Sequence, residues 1–356
     1  MTFGPNHYVP VLKIKRGEKA ALRSIDPGVQ QRITPLLEIV ERKADKATVE
    51  AHLDTAFRDL ANSVRPFARC FLDAREIAPD GPSAAFELFQ RASAEGIAFT
   101  PVTGLSRSAD VEAVVNQGTL GVALRLTRAE FEKGRLATRI TDFIRNRHLD
   151  PERTDLIVDL GTVEHLVAEG VVALTHAFLA EVPDHRSWRT LTVSACAFPM
   201  SMMGVERHSF SLVDRVDWIA WRDGLYGRRA ELRRLPTFGD GAIQHPTGVE
   251  GFDPRTMQVS AAIRYTLRQP EAWLLIKGAS TRITLPSEQF PALATRLVYG
   301  VHRHYYRGES HCAGCRGMKA AADGAARLGS AEAWRRLGTI HHITTVMESL
   351  ASLSGP

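Results

Sequence analysis

Eight times between residues 8 and 243 a short apolar run gives way to a stretch of helical period, and this alternation constrains the fold more than any other feature. Strand-like runs lie at 8–15, 34–40, 69–75, 98–103, 120–126, 154–160, 190–196 and 237–243. Helical stretches at 46–62, 84–94, 109–116, 128–147 and 163–179 separate them. Strands joined through helices lie parallel, because the crossover that returns the chain to the same edge direction needs a dozen or more residues. Eight βα units in about 245 residues match a closed (β/α)8 barrel better than an open doubly wound sheet. No GxGxxG follows the first strand and no GxxxxGK[ST] occurs, so neither a dinucleotide crevice nor a P-loop is supported. A ninth strand-like candidate, DWIAWRD at 217–223, blurs the end of the series.

The predicted fold class is therefore α/β: a (β/α)8 TIM-barrel-like domain over residues 1–250, with a C-terminal hairpin-plus-helix extension over 251–356 packed on the barrel. The Pro/Gly-rich PTGVEGFDPRT at 246–256 marks the boundary. Runs at 257–267 and 272–278 around RQPE predict a hairpin. A helix at 287–301, a Cys/His-bearing loop at 302–318 and a last helix from Ser330 to about residue 350 follow, with Ser330 as N-cap.

The strands end in charge. In YVPVLKIKR, Val9, Val11, Lys13 and Lys15 share one face and Leu12 and Ile14 the other. In the second strand Glu38 shares a face with Leu36 and Val40, Asp73 and Arg75 share a face at the third, and Arg125, Asp159 and Asp240 occupy the fifth, sixth and last. Barrel active sites are built at the C-terminal ends of the strands, so these residues predict a charged ring at that mouth. Lys13, Glu38, Asp73, Asp159 and Asp240 are the candidate catalytic groups, the carboxylates acting as a general base or holding a divalent ion. Lys15, Arg75, Arg125, Arg264 and Lys277 are the candidate ligand-binding groups, suited to neutralising a phosphate. The same acids and bases can instead pair with one another as a structural network.

Two further constellations stand out. HRHYYRGESHCAGCRG carries Cys312-x-x-Cys315, a spacing at which two thiolates can grip one zinc, with His302, His304, His311, His341 and His342 as alternative further donors. In WRRLGTIHHITTV, Trp334, Leu337, His341 and Thr344 or Thr345 share a helical face that can dock on the barrel. The basic run YGRRAELRRL reads as a solvated helical face, and no GxSxG elbow supports a hydrolase of that type.

A net charge of +5 and a sequence pI near 9.1 permit a phosphorylated small molecule or nucleic acid as partner without requiring one. MTFGPNHYVP lacks the pattern of a signal peptide, and no apolar run approaches the roughly 18 residues of a membrane span. Cys70, Cys196, Cys312 and Cys315 do not make a secreted disulfide framework. A cytoplasmic protein without a membrane partner is expected.

The stretches YVPVLKIKRGE, PLLEIVE, FGDGAIQHP, SAAIRYT with WLLIKG, and WRRLGTIHHITTV together resemble the bacteriophage Beta protein family, from the first strand to the last helix. The resemblance implies a phage or defence-related setting and a protein partner from it; it transfers no catalytic residue. Two readings follow: a barrel whose charged mouth binds or processes a phosphorylated ligand (nucleotide or phosphodiester), a hydrolase or lyase if an enzyme, or a non-catalytic module recognising a phage protein or nucleic acid.

Overall fold

The computed structural model describes residues 3, 4, 6–246, 260–325 and 328–353. Eight parallel strands close a barrel: β1 (Tyr8–Lys13), β2 (Leu36–Glu38), β3 (Cys70–Asp73), β4 (Phe99–Thr103), β5 (Val122–Thr127), β6 (Thr154–Thr162), β7 (Thr190–Cys196) and β9 (Thr237–Asp240), which pairs back onto β1. β8 (Phe210–Asp214) leaves the barrel and pairs antiparallel with β11 (Ala272–Ser280), whose other neighbour is β10 (Ser260–Thr266). The small sheet thus takes one edge from the stretch read as barrel. All of the boundary loop after Pro246 and the first residues of the predicted hairpin, 257–259, lie outside the described residues.

Period-two alternation sorts the strand residues into two environments. Val9, Leu36, Phe71, Val102, Ala123 and Ile157 meet inside the barrel. Tyr8, Leu12, Leu37 and Leu72 point outward, into the layer shared with the surrounding helices. The N-terminal end of the lumen is sealed by Asp155, which takes Arg69 at 2.6 Å and Arg189 at 2.6 Å, with Phe3 stacked on His7 beside them.

Several local expectations change. DWIAWRD is not a ninth strand: Val216–Ile219 is α-helical and Ala220–Tyr226 continues it as a wider helix. Trp218, Trp221 and Leu225 recur at helical spacing and bury one face. The 128–147 helix is two helices, Arg128–Glu132 and Leu136–Asn146, because Gly134 and Arg135 both take positive φ (70° and 51°). The basic run is not one helix: Tyr226 ends the preceding helix and Arg229–Glu231 forms a short 3-10 turn.

The last helix, Ala331–Leu353, begins where Ser330 caps it, its Oγ accepting the Ala333 N–H at 3.1 Å. From Leu337 to Met347 every residue is buried, because the helix is packed between β1 and helix Arg16–Arg23 on one side and β10 and helix Ala313–Ala322 on the other. No described helix is long and apolar enough to cross a membrane.

Candidate functional site

The C-terminal mouth gathers the charges that alternation sends inward. Lys13 and Glu38 face each other in register, as do Glu38 and Asp73. Lys13 Nζ lies 2.8 Å from Glu38 Oε2. Arg125, buried at the centre, donates to Glu38 at 2.6 Å and to Asp73 at 2.8 Å, and its Nη2 meets Asp159 at 2.7 Å. Arg75 reaches Glu38 at 3.0 Å from above. Arg107, from the loop after β4, adds a bond to Asp73 at 2.6 Å and pairs with Asp110, which also accepts from Thr103 at 2.6 Å. Asp159 turns its second oxygen to the Gly161 N–H, 2.9 Å away.

Every oxygen of Glu38, Asp73 and Asp159 therefore has a donor. Burial pushes the Glu38 carboxyl up, but Arg125, Lys13 and Arg75 outweigh it and hold it at about 2. Burial of Asp73 is likewise outweighed, by Arg107, Arg125 and Arg75, which keep it below the usual carboxylate range. Lys13 and Arg75 remain 15% and 32% exposed, against 3% for Arg125, so the ring is dry at its base and open to solvent at its rim.

Other predicted site residues lie elsewhere. Asp240 does not join the ring. Gly239 is the inward residue of β9, paired with Val9 and Ser194, so its neighbour Asp240 points outward. There it accepts from Tyr8 Oη at 2.5 Å and the Ala242 N–H at 2.9 Å, and meets His342 Nε2 at 3.0 Å. Arg215 lies 3.8 Å from it, flanked by the rings of Trp218 and Trp273. Lys15 falls just past β1, exposed, at the N-cap of helix Arg16–Arg23. Arg264 donates to the Ile243 carbonyl at 2.8 Å in the loop after β9 and lies over the Phe198 ring. Lys277 is spent on the carbonyls of Met202 (2.8 Å) and Val205 (2.7 Å), anchoring the loop before β8 rather than facing the mouth.

Cys312 caps helix Ala313–Ala322 and sits with Cys315, His311 and His341 on the far side of the last helix. His302 and His304 take no part in that group, and His342 turns to Asp240 instead. Arg107 and Asp110 were not singled out by sequence reasoning. Both ride on the stretch after β4, where no strand period reveals direction.

Residues 8–348 match the family model described as Beta protein, nearly the whole chain, and the chain belongs to that family. No curated protein matches it.

Proposed function

We propose that this member of the Beta protein family binds, at the C-terminal mouth of its barrel, a ligand carrying a phosphate group, a nucleotide or phosphodiester. The observation that carries this reading is an excess of positive charge on the β9–β1 side of the mouth. The charges acting most strongly on Lys15 are Glu18, Arg335, Lys13 and Arg264, three cations against one carboxylate. Burial and Arg335 push Arg264 down to about 10. Arg335 Nε is buried without a hydrogen-bond partner among the described residues, and the Glu18 carboxylate is shared with Gln244. An anion entering here relieves repulsion among cations; at the ring it would have to displace a carboxylate.

The reading is binding rather than turnover. A carboxylate held at about 2, as Glu38 is, makes a weak general base near neutral pH. The catalytic roles expected of Lys13, Glu38, Asp73 and Asp159 give way to a structural one: they set the shape of the mouth. A divalent ion at those carboxylates would have to displace the donors that already hold each oxygen, so no such ion belongs to the proposal. Following the family resemblance, we place the ligand in a phage or defence setting within the cytoplasm.

Titration calorimetry with inorganic phosphate and a nucleotide panel tests this. Binding should weaken with salt and fall about tenfold or more, about 1.4 kcal/mol, in Lys15→Ala and in Arg335→Ala. No binding across the panel, or equal affinity in both variants, refutes the proposal. Plaque counts on cells carrying the wild-type protein or Lys15→Ala test the setting: equal protection, or none, counts against it.

A further inference from the structure

We infer that His311, Cys312, Cys315 and His341 form a closed four-ligand zinc site that ties the last helix to the rest of the extension. The chemistry is that of a structural zinc: two thiolates and two imidazoles, a charge-neutral set once two thiol protons are released. The ligand atoms of the four residues all lie within 4.8 Å of one another. A tetrahedron with Zn–S near 2.3 Å and Zn–N near 2.0 Å has edges of roughly 3.3–3.8 Å. His341 Nδ1 stands 3.3 Å from Cys315 Sγ and 3.8 Å from Cys312 Sγ, inside that span.

The surroundings are those of ligands already oriented. His341 turns its other nitrogen, Nε2, to the Thr266 carbonyl at 2.8 Å, which fixes Nδ1 as the unprotonated face. His311 turns Nδ1 to Glu348 at 3.1 Å, and its Nε2 is a buried nitrogen with no hydrogen-bond partner among the described residues, on a side chain only 4% exposed. An imidazole nitrogen desolvated without a partner is costly unless something coordinates it. The Cys315 N–H donates to Cys312 Sγ at 3.3 Å, and Tyr265 Oη, which accepts the Arg307 N–H at 2.9 Å, has its own proton free for Cys315 Sγ at 3.4 Å. Both sulfurs are thus placed to be acceptors, as thiolates are.

Local sequence serves the same geometry. A Cβ on Gly314 would lie 2.4 Å from the Leu337 carbonyl oxygen and 3.1 Å from the His341 N–H, so only glycine lets the Cys-x-x-Cys turn approach the last helix closely enough to share a ligand with it. Four protein donors leave no open coordination position, which assigns the metal a structural role.

Elemental analysis of full-length protein purified without chelator should find one zinc per chain. Cys312→Ser and His311→Ala should each lose most of it, and the apo protein should take up cobalt with the visible absorption of tetrahedral thiolate coordination. Should the variants misfold, cobalt uptake by the wild-type protein decides. Zinc-free wild-type protein whose reduced thiols bind neither zinc nor cobalt overturns the inference, as does full zinc occupancy in a folded Cys312→Ser.

Discussion

Arg125→Met removes the cation around which the mouth is assembled. In the wild type its guanidinium touches Glu38, Asp73 and Asp159 at 2.6–2.8 Å with almost no solvent contact. After the change Glu38 keeps Lys13 and Arg75, and Asp73 keeps Arg107, but Asp159 keeps only the Gly161 N–H. Stranding buried charge by deleting its partner costs about 3–5 kcal/mol, a large share of the roughly 5–15 kcal/mol by which a protein is usually stable. Urea unfolding at pH 7 reads the cost. The deficit should shrink as pH falls toward 4. In the wild type the depressed carboxylates add stability above their unfolded pKa and lose it in acid, whereas in the variant they protonate readily. Adding Asp159→Asn to Arg125→Met should recover about 1–3 kcal/mol by neutralising the worst-placed charge. A loss under about 1 kcal/mol, or one that does not change with pH, would falsify the view of Arg125 as the hub.

Three more outcomes follow from the same physics. Glu38 is lowered from 4.5 to about 2, so it adds about 3 kcal/mol above pH 5 that disappears as pH falls through about 2; acid titration of stability should show this component in the wild type and not in Glu38→Gln. Asp217 goes the other way: burial and the neighbouring Asp240 push it up to about 7, so its contribution is full at low pH and is lost as pH rises through 7. The melting temperature of Asp217→Asn relative to wild type should therefore improve between pH 6 and pH 8, and a flat difference argues against the assignment. Gly314→Ala drives a methyl into the Leu337 carbonyl and should cost about 1–3 kcal/mol in thermal unfolding while lowering zinc content.

The barrel was legible because eight apolar runs separated by helices leave few closed solutions, and all eight predicted runs overlap the barrel strands. What failed was local and has identifiable causes. DWIAWRD fits both periods over seven residues, and only the packing of Trp218 and Trp221 against Phe238 decides for the helix. β8 went unseen because FSLVD is half exposed and becomes a strand only through β11. For the site, counting toward strand ends found Lys13, Glu38, Asp73, Arg125 and Asp159, which the structure brings together, yet it misplaced Asp240. Along a strand a one-residue difference in parity exchanges lumen for exterior, and the partner-strand register that sets parity is not written in the strand itself. The Cys-x-x-Cys pair was visible, but which histidines accompany it depends on a helix 26 residues further on.

The adjacent histidines of the last helix face different masters across one residue of β10. His341 holds the Thr266 carbonyl and His342 its hydroxyl, at 2.8 Å and 2.9 Å, while His342 also meets Asp240, which Tyr8 joins. Tyr8 and Asp240 belong to the first and last barrel strands, so the final helix acts as a latch across the seam where the cylinder is sewn shut. During synthesis that latch arrives last: the seam can pair once residue 240 is made, but Asp240 waits about a hundred residues more for its imidazole. A version trimmed at the end of the barrel sequence would be a cylinder with its fastening removed.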